Sequence, residues 1–238
     1  KGGWVNLLQP QDKKSQHPGD SKEAVTARRR LLERGIAAPL VAALAALLRE
    51  ALAATGAKAA ALLDVGCGEG TLLDGLCAAL DCEGWGVDLS TPAVEAAAKR
   101  FPSRHFVIAN ADRGLPFTDA SFPVITSITA RRNAPEFARV LSPEGRVAVV
   151  VPGDDDLREL REAVQGEARP LAGDVSLDGF VVDAAREVRS RSVLDADALR
   201  DLLASTYRGQ RRREGERAAA LSALEVTFHW QIRIFRRA

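Results

Sequence analysis

The run Asp64-Val65-Gly66-Cys67-Gly68-Glu69-Gly70 leaves this chain few ways to fold. Glycines at alternate positions let a backbone turn tightly around a ligand. The apolar stretch Ala61 to Val65 precedes them and the helical stretch Thr71 to Leu80 follows. The pattern predicts a buried parallel strand, a tight turn and a helix. A second short apolar run ends in Gly86-Val87-Asp88, and a carboxylate at the end of the neighbouring strand can accept hydrogen bonds from both hydroxyls of a ribose. The G-x-G-x-G spacing differs from the G-x-G-x-x-G of dinucleotide sites, and Glu69 puts a carboxylate where a pyrophosphate would lie. A cationic nucleoside suits such a turn better than a phosphorylated one.

From residue 58 onward, strand and helix patterns alternate. Strands are expected near 61–65, 84–87, 105–109, 123–128 and 146–151, with helices near 71–80, 92–100, 134–141 and 154–165, so five βα units build the core. Residues 1–22 are polar and turn-rich and read as an extended arm carrying an apolar tag, Trp4 to Leu8. Ser21 can cap a helix that Gly35 stops, and Pro39 opens another that runs to about Ala54. Residues 166–179 hold four glycines and prolines and are expected to form a mobile linker. A strand near 180–192 and a helix from Ala196 to Ala204 follow. Val226, Phe228, Trp230, Ile232 and Ile234 then alternate with Thr227, His229, Gln231 and Arg233, which predicts a half-buried strand that closes the sheet. The expected organisation is an N-terminal arm with helices over 1–55 and a ligand-binding domain over 56–238.

Composition adds exclusions. The formal net charge of +1 makes no global demand for nucleic acid, although arginines cluster at 28–30, 131–132 and 208–217. Cys67, Cys77 and Cys82 are odd in number and lack C-x-x-C spacing, so no disulfide framework or zinc site is expected and a reducing cytoplasm is. The apolar run Ile36 to Ala54 is interrupted by Pro39, Arg49 and Glu50 and reads as a soluble helix, without a membrane partner.

A third marker is Asn110-Ala111-Asp112-Arg113-Gly114-Leu115-Pro116-Phe117, ahead of the apolar run Phe122 to Ile128. An acidic group past the third core strand can accept from the exocyclic amine of adenine, with Leu115 covering the ring. With Gly66, Gly68 and Asp88, this set resembles the class I S-adenosylmethionine-dependent methyltransferases. The resemblance implies a Rossmann-like, doubly wound sheet, mostly parallel with an antiparallel C-terminal strand. It also implies S-adenosyl-L-methionine as cofactor and S-adenosyl-L-homocysteine as product. The cofactor-binding residues it points to are Asp64, Gly66, Cys67, Gly68, Glu69, Asp88, Leu89, Ala111, Asp112, Arg113, Ile128 and Asp156.

A closer resemblance lies outside the cofactor motifs. Gly3-Trp4-Val5-Asn6-Leu7-Leu8, Pro18-Gly19-Asp20-Ser21, Ala27-Arg28, Gly35, Pro39-Leu40, Asn133-Ala134-Pro135-Glu136 and the ending Ile232-Arg233-Ile234-Phe235-Arg236 are similar to the bacterial 23S rRNA guanine-N1 methyltransferases, a family that includes the tylosin-resistance enzymes. The resemblance implies methyl transfer to N1 of one guanine in a ribosomal RNA hairpin. Guanine N1 is protonated at neutral pH, so its proton must be removed while the nitrogen is aligned behind the methyl group. The candidate catalytic residues are Asp20, Arg131 and Asn133, with Glu69 and Asp156 as further acidic choices. Arg28, Thr129, Arg131 and Arg132 are the candidate substrate-binding residues.

The chain departs from that family pattern in places. The family usually opens on a four-cysteine zinc ribbon running into the Gly-Trp/Tyr-Val-Asn-Leu-Leu tag, and Lys1 stands at that junction. Ala37 stands where the family commonly has a Tyr against the cofactor, Asp156 where a His commonly follows the fifth core strand, and Thr129-Ala130-Arg131 where an aromatic followed by Ala-Pro often comes after the fourth. Two alternatives therefore stand beside the RNA enzyme: a methyltransferase acting on a small molecule, and a protein that binds the cofactor or RNA without chemistry.

Overall fold

The computed structural model describes residues 3–9, 19–166, 175–205 and 221–238. The elements in chain order are β1 (Trp4–Asn6), α1 (Lys22–Glu33), α2 (Ala38–Ala53), β2 (Ala61–Val65), α3 (Thr71–Leu80), β3 (Glu83–Asp88), α4 (Thr91–Arg100), β4 (His105–Ile108), β5 (Phe122–Ile128), α5 (Ala134–Val140), β6 (Leu141–Pro152), α6 (Arg158–Gln165), β7 (Phe180–Asp195), α7 (Ala196–Ala204) and β8 (Ala223–Arg237). The strands form one eight-stranded sheet in the order β1-β4-β3-β2-β5-β6-β8-β7. The pairs from β1 through β6 are parallel, while β8 runs antiparallel to β6 and to β7.

The order reverses at β2. The chain moves outward through β3 and β4, then returns to place β5 and β6 on the other side. In open sheets of this kind the crevice beyond the carboxyl ends of the strands at the reversal takes the ligand. Asp64 and Thr126 face each other in the β2–β5 register there, and the Thr126 hydroxyl donates to Asp64 Oδ1 at 2.7 Å.

Apolar side chains on both sheet faces explain why the strands read as near-continuous hydrophobic runs. One core packs Leu44, Leu48, Leu73, Leu76, Val94 and Ala97 from α2, α3 and α4 onto Leu62, Ile108, Val124 and Val150. The other packs Phe137 and Val140 of α5 against Leu63, Ile125, Val147 and Phe235. A third joins Leu31 of α1 and Leu160 of α6 to Leu199 and Leu202 of α7 and Phe228 of β8. No single helix among the described residues is long and apolar enough to cross a membrane.

The structure corrects several expectations. The apolar tag of the N-terminal arm is a strand: Trp4, Val5 and Asn6 pair in parallel with Phe106, Val107 and Ile108. The C-terminal strand does not close the sheet, because it lies between β6 and β7 and leaves β7 on the edge. The helix expected from 154 begins at Arg158, since residues 154–157 form turns and Leu157 is left-handed. Of the expected linker, residues 167–174 lie outside the described residues, whereas Val175 and Leu177 are buried in the second core. The arginine cluster at 208–217 also lies outside them.

Candidate functional site

The turn after β2 is shaped by backbone that only glycine adopts freely. Gly66, Gly68 and Gly70 all have positive φ. A Cβ on Gly66 would lie 2.4 Å from the Cβ of Ala130, so the close approach of the β2 and β5 ends depends on its absence. Gly66 and Cys67 donate their N–H groups to the Val87 carbonyl at 2.8 and 3.1 Å, which fastens the turn to β3. No side chain caps α3, so its first-turn amides keep their capacity to face a ligand.

Asp88 stands at the end of β3. Its two oxygens accept separately from Gly68 N–H at 2.9 Å and Ser90 N–H at 2.8 Å. A carboxylate has about four lone-pair sites, so this clamp leaves acceptor capacity for two vicinal hydroxyls. Burial raises the Asp88 carboxyl above its ordinary value, against the lowering effect of the two backbone donors. Ser90 also caps α4 and donates its hydroxyl to the Asp20 carbonyl at 2.8 Å, which fixes the chain ahead of α1 beside the clamp.

Asp20 and Arg28 form an ion pair at 2.6 Å, and a Cβ on Gly68 would lie 3.5 Å from Arg28 Nη1. The pair therefore sits over the glycine turn, next to Asp88. Arg28 Nη2 also donates to the Ser205 carbonyl at 3.1 Å. Glu69 is 3% exposed, and its side chain is taken up by the protein: it accepts from the Thr71 hydroxyl at 2.7 Å and from Arg100 Nη1 at 3.3 Å. Arg100 reaches Glu33 of α1 as well, at 3.3 Å. The negative charge inferred at the turn is thus offset locally.

The loops after β4 and β5 meet on the other side of the crevice. Arg131 pairs with Asp112 at 2.7 Å, and Asn133 Nδ2 donates to the Ala111 carbonyl at 2.9 Å and the Asp112 carbonyl at 3.3 Å. Asn133 also caps α5 through its side-chain oxygen. Thr129 has φ of 53°, which is strained for a β-branched residue, and its N–H donates to the Val150 carbonyl at 2.8 Å. Arg113 and Arg132 are exposed. Leu115 is buried in the second core and donates its N–H to Glu136 Oε2 at 2.6 Å. Ile128 and Cys67 are buried, Leu89 and Ala111 half-buried, and Ala37 is the buried N-cap of α2.

Asp156 lies in the turn that follows β6. Its Oδ1 accepts from the His229 N–H at 3.0 Å, tying the turn after β6 to β8. Sequence pattern does not single out Arg100, Ser90, Thr126 or Arg139. Arg139 reaches the carbonyls of Leu115 and Phe117 at 2.8 and 2.7 Å and pairs with Glu136 at 2.7 Å, holding the loop ahead of β5. The contacts that bring them to the site, from Arg100 to Glu69, Ser90 to Asp20, Thr126 to Asp64 and Arg139 to Leu115 and Phe117, each span more than twenty residues, which local pattern does not reveal.

Burial pushes the Asp64 carboxyl up to about 7 from 3.8, against the Thr126 hydrogen bond and with the Asp88 charge adding to the rise. An acid raised on folding favours the folded state fully below its unfolded value and loses that contribution as pH rises through its folded value. Relative to wild type, an Asp64→Asn variant should therefore gain stability as pH rises from about 4 to about 7 and level off above. Thermal melts of both proteins across that range check this, and parallel curves would overturn it.

A family model described as a methyltransferase domain matches residues 62–145, from within β2 into β6. A Bacillus subtilis (strain 168) protein, YxjB, named for 23S rRNA guanine-N1 methylation, is 36% identical over 215 residues, covering 86% of this chain and 74% of its own. The 23S rRNA (guanine(748)-N(1))-methyltransferase of Streptomyces fradiae is 37% identical over 163 residues, 68% of this chain and 56% of its own, so the chain spans little more than half of that relative. Among solved structures, one describing the conversion of a disulfide bond into a thioacetal group during echinomycin biosynthesis superposes with a TM-score of 0.50 at 20% identity, covering 79% of this chain and 80% of the other.

Proposed function

The chain belongs to the 23S rRNA guanine-N1-methyltransferase family, and from that premise we propose that it transfers the methyl group of S-adenosylmethionine to N1 of a guanine in 23S ribosomal RNA. The observation that carries the cofactor half of this reading is the Asp88 clamp. One carboxylate is held at the end of β3 by Gly68 and Ser90, above a turn that a Cβ at Gly66 would fill. These residues suit a nucleoside: Asp88 accepts from the ribose hydroxyls, and the half-buried Leu89 and Ala111 flank an adenine. When bound, the cofactor supplies an electrophilic methyl carbon on a cationic sulfur.

The chain's own residues bind and orient. Asp64 is buried at the β2–β5 reversal, where a neighbouring cation would lower its raised carboxyl and draw out a proton. The acceptor is expected on the β5 and β6 side, where Thr129, Arg131 and Arg132 emerge. There Arg132 is exposed and Arg131 can exchange Asp112 for a phosphate or the guanine carbonyl. The guanine must leave its stack to be reached, at a cost of a few kcal/mol. Asn133 is engaged with two carbonyls and positions the Asp112 loop, and Asp20 is engaged with Arg28.

The direct test is incubation of the protein with labelled S-adenosylmethionine and 23S rRNA, followed by primer extension. N1 methylation blocks the Watson–Crick edge, so reverse transcription should stop at one guanine. Cofactor binding without label in RNA would overturn the RNA assignment while leaving the cofactor site standing. If Arg131 and Arg132 touch phosphates, replacing both by Ala should weaken RNA binding and flatten the plot of log affinity against log salt by roughly 0.7–0.9 for each phosphate they neutralise. An unchanged slope would return both arginines to solvent.

A further inference from the structure

The spacing of Cys77 and Cys82 excludes a C-x-x-C motif, yet the fold brings the two thiols together. Helix α3 ends with Asp81 in the left-handed conformation, and the N–H groups of Asp81 and Cys82 both donate to the Cys77 carbonyl, the latter at 3.1 Å. This is the helix-ending turn in which the residue two past the end folds back over the last helical turn, so that the side chains at its two ends touch. Here those residues are Cys77 and Cys82, so the turn sets the two thiols side by side.

The surroundings are built around that pairing. A Cβ on Gly84 would lie 2.7 Å from Cys77 Sγ and 2.9 Å from Arg104 Cδ, so glycine at 84 leaves room for the sulfur. Arg104 donates from Nη1 to the Cys82 carbonyl at 3.1 Å and from Nε to Asp74 at 3.0 Å, which holds a fixed cation beside the pair. Cys77 is 1% exposed, whereas Cys82 is half-buried, the more accessible of the two. The neighbouring Cys77 thiol and the Arg104 charge lower the Cys82 thiol, while the neighbouring Cys82 sulfur and burial raise Cys77. Thiolate character and access therefore fall on the same sulfur.

We propose that Cys77 and Cys82 form a reversible dithiol–disulfide site that reacts with small disulfides of the glutathione class. The Cys82 thiolate attacks one sulfur of oxidised glutathione, forming a mixed disulfide and releasing one glutathione thiolate. Cys77 gives up its proton and attacks the Cys82 sulfur, which closes the internal S–S bond and expels the second thiolate. Two electrons pass to the small disulfide, and two protons end on the two glutathione thiols. The site lies where α3 ends and β3 begins, at the edge of the sheet opposite Asp88, and it borrows no residue from the cofactor cradle.

The test uses the folded full chain with oxidised glutathione, acid quenching, intact mass and peptide mapping. The expected product is two hydrogens lighter, linked between Cys77 and Cys82, and restored by dithiothreitol. Cys67, buried against Gly86, should stay reduced. In Cys77→Ser the glutathione adduct on Cys82 should accumulate, because nothing resolves it. In Cys82→Ser, adduct formation at Cys77 should be slower than at Cys82 in the wild type by roughly tenfold or more. A persistent Cys82 adduct in the wild-type protein, or no reaction at either cysteine, would overturn the proposal, and the wild-type result decides it even if a variant fails to fold.

Discussion

Asp88→Ala should weaken S-adenosylhomocysteine binding by about 1.5–3 kcal/mol, roughly tenfold to more than a hundredfold, the usual worth of hydrogen bonds to a charged group. The product is the better probe, because binding is then measured without turnover. The substitution has a second effect, since Gly68 N–H and Ser90 N–H both lose their acceptor. The glycine turn should loosen, and part of the lost affinity then comes from a cradle that must be ordered by the ligand. Asp88→Asn separates the two contributions: its side-chain oxygen can keep one backbone donor, but the amide offers fewer acceptor sites to a ribose. Calorimetric titration of wild type and both variants should rank them wild type, then Asn, then Ala. An unchanged affinity in Asp88→Ala would sink the assignment of the clamp to the sugar.

Gly66→Ala should harm both stability and binding. The backbone there has φ of 84°, a conformation that costs an L-residue about 1–2 kcal/mol. The new methyl group would also meet the Ala130 Cβ at 2.4 Å, so either the turn after β2 or the loop after β5 has to shift. Overpacking of this kind typically adds about 1–3 kcal/mol. The two together should lower the melting temperature by roughly 5–12 °C in a chain of this size. Because the displaced segments are the two walls of the crevice, cofactor affinity should fall as well. A companion variant, Gly35→Ala, serves as control: it has φ of 78° with nothing within 4 Å of the added Cβ, so it carries the strain without the clash. If both variants melt alike, close packing across the β2–β5 reversal is not what the glycine protects.

The parts of this molecule legible in the sequence are those that local pattern controls. The apolar run Ala61 to Val65, the glycines and the helix to Leu80 lie where the pattern puts them, because a buried parallel strand and a left-handed turn each leave a residue-level signature. Strand order on the far side was not legible. The alternation in β8 reports one covered face and says nothing about which strands flank it, and β7 takes the edge. Trp4–Asn6 was too short to show a period, and it becomes a strand only because β4 offers an unpaired edge. In the site, Asp88 and Gly68 could be named from spacing alone. The partners of Glu69 and Arg28 could not, since Arg100 and Asp20 meet them through tertiary packing. The same holds for Cys77 and Cys82, where spacing argued against a pair and a helix ending made one.

The bridge from Glu33 through Arg100 to Glu69 joins the first helix to the floor of the cradle. A single guanidinium serving two carboxylates on separate segments makes their positions interdependent, so whatever steadies one end raises the work needed to peel away the other. By thermodynamic reciprocity, a nucleoside that prefers the ordered turn must also favour the docked position of α1, and by the same factor that a docked α1 improves its grip.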